Sequence, residues 1–184
     1  MTHLSFPNLS GKLVNLRELS MEDATIIVSL MSHDISKYLY EVSHPYKIDD
    51  ALKFIKSSCD DFRLHKSIIF AISYKNKLEP IQLLAGTIGI KDIDYVNKKA
   101  NIGYWIGKQY QGKGLATECV KLVVKYGFDI LKLIAISAYV FPENKPSIRV
   151  LEKNKFVKTE VVKEYHPLSN RYRNSLVYTI KNKK

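Results

Sequence analysis

The chain contains little cysteine and no long hydrophobic run. Its two cysteines, Cys59 and Cys119, fall in segments with helical periodicity and lack metal-ligand spacing. We therefore expect buried or half-buried free thiols of a reducing compartment. No run approaches the roughly 20 apolar residues of a membrane span, and the N-terminus lacks the basic and apolar segments of a signal peptide. These absences predict a cytoplasmic protein without a membrane partner.

Internal repeats, low-complexity tracts and linker-like segments are also missing. The 184 residues are 46% hydrophobic, which suits one well-buried core. We therefore expect a single domain over 1–184, with its core at about 11–181. Histidines and carboxylates do not occur together at metal-ligand spacing, so the sequence predicts no metal site.

Negative charge is scarce, and the formal net charge is +11. The stretch 145–184 carries eleven Lys and Arg against three Glu. Such an excess fits a solvated basic face, a basic mouth for a polyanionic cofactor, or a nucleic-acid groove. The last is the least favoured, because no helix-turn-helix or RNA-stacking signature accompanies the charge.

Hydrophobic periodicity predicts the element order βααβββαβαββ. The expected strands cover 11–19, 67–74, 82–92, 99–106, 133–140, 156–164 and 173–180. Ser20 is the expected cap of the first helix, and the second helix should begin near Asp49. The helix from Gly114 lies between two strand patterns, so those strands should be parallel neighbours.

A glycine-rich turn, Gln111-Gly112-Lys113-Gly114, connects the strand at 101–106 to the third long helix. Glycine lets backbone N–H groups approach an anion closely, and the first N–H groups of a helix have no intrahelical partner. The positive end of the helix dipole adds to this attraction. The turn therefore predicts a ligand that carries phosphate.

Three passages together resemble the GNAT superfamily of acyl-CoA-dependent N-acetyltransferases, and most of all the branch that acetylates ribosomal-protein N-termini. They are Ile102-Gly103-Tyr104-Trp105-Ile106, the segment Tyr110 to Glu118, and Asn144 to Lys153. Gln111, Gly114 and Ala116 fit the family pattern Q/R-x-x-G-x-G/A. The resemblance spans nearly the whole chain, and the predicted element order agrees with it.

The resemblance implies an α/β (α+β) fold with a mixed central sheet splayed between the fourth and fifth strands. It also implies acetyl-CoA as co-substrate, its pyrophosphate on the glycine turn and its pantetheine arm added like a strand beside Tyr104 to Ile106. The implied cofactor-binding residues are Tyr104, Trp105, Ile106, Gln111, Gly112, Lys113, Gly114, Leu115, Ala116, Thr117, Asn144 and Ser147.

Direct transfer to an amine needs an oxyanion donor, a route for the surplus proton and a donor to the departing thiolate. The Ile106 N–H is the oxyanion candidate. Ser147 is the candidate donor to the thiolate, with a plain N-cap or first-turn hydroxyl as the alternative interpretation. Where the branch often has a glutamate base, this chain has Asn101, which cannot be a base. Leu151 stands where many family members have a tyrosine acid.

Glu164 is the leading replacement base, and Glu41 is the second; either carboxylate could instead belong to the surface. By analogy, the aromatic loop 38–46 and the connection 166–172 flank the amine side. We therefore expect Tyr40, Glu41, Tyr46 and Asn101 to contact the acceptor. His44 and His166 are less favoured as bases.

The predicted function is acetyl transfer from acetyl-CoA to a primary amine, with a protein N-terminal α-amine as the first choice of acceptor. A small-molecule amine, such as a polyamine or an aminoglycoside, is an alternative acceptor. A non-catalytic acyl-CoA sensor is the alternative outside the enzymes, because Asn101 and Leu151 replace two expected catalytic groups. Family members often pair, so a homodimer is possible.

Overall fold

A mixed sheet forms the centre of the computed structural model, which describes residues 5–40, 42, 44–75, 83–167 and 170–183. Eight strands make up the sheet in these ranges: β1 Leu9–Ser10, β2 Val14–Glu18, β3 Ile68–Tyr74, β4 Leu83–Asp94, β5 Lys99–Ile106, β6 Ala135–Val140, β7 Val157–His166 and β8 Arg171–Lys181. The helices are α1 Asp23–Leu30, α2 His33–Ser36, α3 Ile48–Arg63, α4 Leu115–Asp129 and α5 Lys145–Lys153, with a 3₁₀ turn at Lys108–Tyr110.

The strand order across the sheet is β1-β2-β3-β4-β5-β6-β8-β7. Neighbouring strands are antiparallel except β5 and β6, which are parallel and joined through α4. The predicted order βααβββαβαββ and the mixed sheet are confirmed, and the short β1 and α2 are additions. Ser20 is not the helix cap, because α1 begins at Asp23 and the carboxylate of Asp23 accepts a hydrogen bond from the Ser20 N–H.

The two faces of the sheet have separate apolar layers. On one face, α4 and α5 pack over β5 and β6 and form the larger core, which includes Leu115, Val123 and Ile136. On the other face, α1 and α3 cover β3 and β4 through a smaller cluster that contains Ile27 and Ile55. The sheet is thus the common wall of the two layers.

Gly127 explains how closely α4 approaches the sheet. A Cβ at this position would lie 2.8 Å from Ile136 Cδ1 and 3.3 Å from Ile90 Cδ1. These separations are shorter than ordinary van der Waals contact, so a side chain here would press on the sheet. The glycine therefore fits a tight helix–sheet contact in the middle of α4.

The β5–β6 pairing ends after three residues. Lys99, Ala100 and Asn101 pair with Ala135, Ile136 and Ser137, and the register includes no later pair between these strands. β5 continues to Ile106 in its ladder with β4, whereas β6 continues to Val140 in its ladder with β8. The two strands therefore diverge and leave a slot. This agrees with the splay that the family resemblance implied between the strands predicted at 99–106 and 133–140.

Glu118 fixes the start of α4 against the turn between β1 and β2. Its carboxylate accepts hydrogen bonds from the backbone N–H groups of Lys12 and Leu13, both at 2.7 Å. A Cβ at Gly11 would lie 2.6 Å from the Glu118 carboxyl carbon, so the turn can approach only because residue 11 is glycine. These bonds anchor the first turn of α4 to the sheet.

Cys59 and Cys119 are both free cysteines. Burial raises the pKa of the Cys119 thiol. Within the described ranges, no cluster of three or more His, Cys, Asp or Glu side chains is arranged to hold a metal ion. Of the helices described, none combines the length and apolar character needed to cross a membrane.

Candidate active site

A cavity of about 430 Å³ lies beside the end of β5, past the point where β5 separates from β6. Its walls come from the end of β5, the glycine turn, the first turn of α4, α5 and the residue before it, and the α2 region. Eleven of the twelve predicted cofactor residues line it: Tyr104, Trp105, Ile106, Gln111, Gly112, Gly114, Leu115, Ala116, Thr117, Asn144 and Ser147. The fold therefore gathers residues from three separate sequence passages around one space.

Lys113 is the exception among these twelve residues, since it is not part of the cavity wall. Its Nζ lies 5.4 Å from the ring centroid of Tyr74 and 5.6 Å from that of Tyr110. Both distances suit a cation–π contact. The side chain of Lys113 thus packs on two tyrosines.

The peptide groups of β5 that face the slot can be identified from the register. The Gly107 N–H donates to the Ala85 carbonyl at 2.8 Å, which makes Ile106 a non-hydrogen-bonded position of the β4–β5 ladder. The N–H and C=O of Ile106 therefore point away from β4 and toward the slot, and those of Tyr104 do the same two residues earlier. The Ile106 carbonyl accepts a hydrogen bond from Gln111 Nε2 at 2.9 Å.

The glycine turn has a backbone conformation that requires its two glycines. Gly112 and Gly114 have φ values of +75° and +82°, in the left-handed region that side chains disfavour. A Cβ at Gly112 would meet no atom within 4 Å, and one at Gly114 would meet only Leu13 Cδ1 at 3.8 Å. Backbone conformation, rather than crowding by protein atoms, therefore accounts for both glycines.

Three basic side chains of the cavity wall were not singled out by the sequence. Lys108 lies in the 3₁₀ turn, and Arg149 and Lys153 lie four residues apart on α5. The Nζ of Lys108 lies 3.6 Å from the carboxylate of Asp34, which also bonds Lys37. The i, i+4 spacing puts both cations on one face of α5, so the sequence pattern could have predicted a basic wall here.

Ser147 bonds to the opposite wall of the cavity instead of capping its own helix. Asn144 is the N-cap of α5, and its Oδ1 accepts from the Ser147 N–H at 3.3 Å. The Ser147 Oγ lies 2.9 Å from the Tyr104 hydroxyl, which also lies 3.3 Å from the Ser147 carbonyl oxygen. Asn144, and not Ser147, is therefore the N-cap of α5, and Ser147 is a first-turn residue of this helix.

Tyr104 is half-buried, and the loss of solvent around its phenol raises the pKa to about 12 even though the bond with Ser147 lowers it somewhat. The phenol therefore keeps its proton at neutral pH. Leu151 is 1% exposed and belongs to the core, so α5 offers no phenol at that position. The cavity nevertheless has a tyrosine hydroxyl, contributed by β5.

Glu164 lies in a different group, which does not form part of the cavity wall. Burial, followed by the charge of Glu164 and a hydrogen bond with its carboxylate, raises the pKa of Tyr40. The Tyr40 ring stacks on Phe141 with centroids 6.2 Å apart, and the Arg173 guanidinium lies 3.6 Å from the Phe141 centroid. The aromatic loop and the last two strands therefore meet in this group.

The remaining predicted acceptor residues are spread out. Asn101 Nδ2 donates to the Asp92 carboxylate at 3.0 Å, beside the last residue pair of the β5–β6 ladder. Tyr46 packs against the smaller apolar cluster, where burial, followed by the charge of Asp50, raises its pKa to about 12. Glu41 lies outside the described residues. Tyr40 and Glu164 thus come together, whereas Tyr46 packs against the smaller apolar cluster.

Comparisons with known proteins agree on one family. A profile described as "Acetyltransferase (GNAT) domain" matches residues 14–157. The chain is 33% identical to the uncharacterized N-acetyltransferase p20 of Bacillus licheniformis over 159 residues, and this match covers 86% of each chain. It is 36% identical over 93 residues to spermidine N(1)-acetyltransferase of Escherichia coli K12, half of each chain.

Solved structures show the same fold. The ribosomal-protein-S5-alanine acetyltransferase of Vibrio fischeri superimposes with a TM-score of 0.82 at 20% identity. The match covers 97% of this chain and 98% of the other. The splayed sheet and the helix arrangement are therefore shared with an enzyme of the branch that the three sequence passages resemble.

Proposed function

Since the chain belongs to the GNAT acetyltransferase family, and is therefore an acetyl-CoA-dependent N-acetyltransferase, we propose that its acceptor is a primary α-amine at a protein N-terminus. One observation carries the assignment of the site: the slot between β5 and β6 opens into a cavity whose far wall is a glycine turn at a helix N-terminus. A long ligand with phosphate at one end and a reactive group at the other matches this shape.

The proposed position of acetyl-CoA follows from the chemistry of each wall. Its pyrophosphate lies on the N–H groups from Gln111 to Thr117, where glycines with positive φ and the helix dipole favour an anion. Lys108, Arg149 and Lys153 add positive charge to the same cavity. The amides of the pantetheine arm bond to the slot-facing peptide groups of Tyr104 and Ile106.

In the proposed reaction, the amine nitrogen forms a bond to the thioester carbonyl carbon, and the carbon–sulfur bond breaks with its electron pair on sulfur. The Ile106 N–H, which points into the slot, stabilises the oxyanion. The Ser147 hydroxyl donates to the departing thiolate. Glu164, beside Tyr40, receives the surplus proton of the amine through water.

An α-amine suits a site whose base lies at a distance from the cavity. The reference pKa of an α-amine is about 8, against about 10.4 for lysine, so a much larger fraction is neutral at pH 7. The rings of Tyr40, Phe141 and His166 supply flat walls for a peptide chain. The relation in fold to a ribosomal-protein acetyltransferase supports the same choice.

A polyamine is the second candidate acceptor, because a specific charge arrangement favours it. After burial, the negative charges of Glu164, Glu160 and Asp92 raise the pKa of Tyr139, so these carboxylates share one region beside the slot. A cation with several amines would be attracted there. The similarity to a spermidine acetyltransferase over half of the chain supports this alternative.

A thiol-release assay with matched acetyl-CoA separates the two acceptors. The enzyme is supplied in turn with N-terminal peptides, Nα-blocked lysine peptides, spermidine and an aminoglycoside. We expect release with free N-terminal peptides and little with the blocked ones. Faster release with spermidine than with any peptide would replace our acceptor by the polyamine, and no release with any amine would refute the proposed function.

The role of Glu164 has its own test. Glu164→Gln should lower kcat by at least about tenfold, since general base catalysis contributes roughly 10²–10⁴. Its affinity for acetyl-CoA in calorimetry should remain that of the wild type. Glu22→Gln, at the exposed N-terminus of α1, controls for loss of a carboxylate elsewhere. Equal kcat values for the two variants would remove Glu164 from the mechanism.

A further inference from the structure

We infer that Tyr104 is a positioning residue for the reaction: the hydrogen bond between its phenol and Ser147 Oγ holds the serine hydroxyl at the cavity wall, where it faces the departing sulfur. This inference rests on the proposed function, because it takes Ser147 as the group that faces the thiolate. It goes further by giving the side chain of Tyr104 a task, where the sequence had assigned only its backbone.

The geometry connects two elements that are distant in sequence. Tyr104 is on β5 and Ser147 is in the first turn of α5, yet their hydroxyl oxygens are 2.9 Å apart and both residues line the cavity. The bond therefore joins two walls of the cavity and fixes the Ser147 oxygen beside the ligand space. Each hydroxyl can donate one hydrogen bond and still accept another, so the pair can stay bonded while one of the two hydrogens points to a further acceptor.

Neighbouring groups hold the two partners in place. The phenol also lies 3.3 Å from the Ser147 carbonyl oxygen, a second contact with the same residue. Asn144 Oδ1 accepts from the Ser147 backbone N–H, which fixes the first turn of α5 without using the serine hydroxyl. The phenol stays neutral because burial raises its pKa to about 12. A neutral phenol can donate a hydrogen bond throughout the working pH range.

The same pKa excludes Tyr104 as the final proton source. A thiol has a reference pKa of about 8.5, so a phenol near 12 would transfer its proton to the thiolate only at a cost. The pair of hydroxyls instead stabilises the negative charge on sulfur by hydrogen bonding as the carbon–sulfur bond breaks. The thiolate later takes up one proton from solvent, which balances the surplus proton that the amine released, and both hydroxyls keep their own protons.

The test is a double-mutant cycle with Tyr104→Phe, Ser147→Ala and the combined variant. Tyr104→Phe removes one oxygen and keeps the ring. We expect it to lower kcat by about tenfold, while the Kd for acetyl-CoA changes less than about twofold. In the Ser147→Ala background the same change should have no further effect, because a positioning residue acts only through its partner.

Tyr178→Phe is the matched control. Tyr178 is buried, and its hydroxyl donates to Glu152 on the same helix at 3.2 Å, outside the cavity wall. A general loosening of α5 would therefore lower kcat in both phenylalanine variants, and that result would overturn the inference. Independent, additive effects of Tyr104→Phe and Ser147→Ala would overturn it too.

The outcomes also separate this inference from the proposed function. If the wild type releases thiol and Tyr104→Phe has a normal kcat, only the role of Tyr104 is wrong. If the wild type releases no thiol with any of the amines, the proposed function itself fails. Thermal melting of every variant shows whether folding is retained.

Discussion

Replacing Gly114 tests the phosphate end of the cavity. Gly114 is the N-cap of α4, with φ +82° and ψ 0°. An L-residue in this conformation costs about 1–2 kcal/mol, and the open space around the Cβ adds no clash. Any substitution should therefore destabilise the fold by about that amount, which is a small fraction of the stability of most domains.

Glutamate and glutamine at this position have nearly the same size and the same backbone strain, so they differ in charge. At about 4 Å from one phosphate charge, with an effective dielectric constant of about 20, a carboxylate costs roughly 4 kcal/mol. This corresponds to about a thousandfold in Kd. We therefore expect Gly114→Glu to bind acetyl-CoA about a thousandfold more weakly than Gly114→Gln.

Isothermal titration calorimetry gives both Kd values, and thermal melting verifies that the two variants have similar stability. Raising the salt concentration should narrow the gap, since exposed charges are screened over about 10 Å at 0.1 M. Similar affinities of Gly114→Glu and Gly114→Gln at low salt would refute the position of the pyrophosphate. Loss of binding in both would point to bulk or strain instead of charge.

The remaining predictions concern stability. Burial alone would raise the pKa of Asp23, but hydrogen bonds from Arg17 and Ser20 lower it overall. The ionised carboxylate therefore stabilises the fold above the unfolded pKa of about 3.9, and this stabilisation disappears as the pH falls through the lower folded pKa. Asp23→Asn should therefore cost about 1–3 kcal/mol in urea unfolding at pH 7, with a smaller difference from wild type near pH 3; an equal difference at both values would contradict this. Gly127→Ala should gain about 1 kcal/mol of helix propensity but lose about 1–3 kcal/mol against Ile136, so urea unfolding should show net destabilisation; greater stability would mean that Ile136 moves freely.

Local patterns accounted for most of the fold. Alternation along β5 and the apolar face of α4 depend on near neighbours in sequence, and the boundaries of both elements lie within a residue or two of those predicted. Ser20 shows the limit of this approach. It is a residue type that caps helices, but its hydroxyl donates to the Asp23 carboxylate at 3.4 Å and the helix begins later, with Glu22 as its N-cap. A hydroxyl that donates to a nearby carboxylate is thus drawn away from the capping role.

The two ends of the cavity differ in how much of them the sequence could predict, and the reason is physical. The phosphate end depends on backbone N–H groups, whose exposure requires glycine at fixed positions, so its residues form a continuous motif. The reacting end depends on side chains from separate elements. Tyr104 and Ser147 meet across 43 residues, and Tyr40 and Glu164 across many more. No spacing rule predicts such pairs, because tertiary packing alone sets their separation.

This difference also explains why the substitution of Asn101 for glutamate does not by itself argue against catalysis. A side chain can act as the base because of its distance from the amine, whatever its position in the chain. A carboxylate on another strand near the amine can therefore take this role. Asn101 is bonded to a carboxylate on β4, and Glu164 reaches Tyr40 from β7. Carboxylates are therefore present beside the slot although residue 101 is an asparagine. A slower but intact reaction is the expected consequence, and it is the reason for measuring Glu164→Gln by kcat rather than by presence or absence of activity.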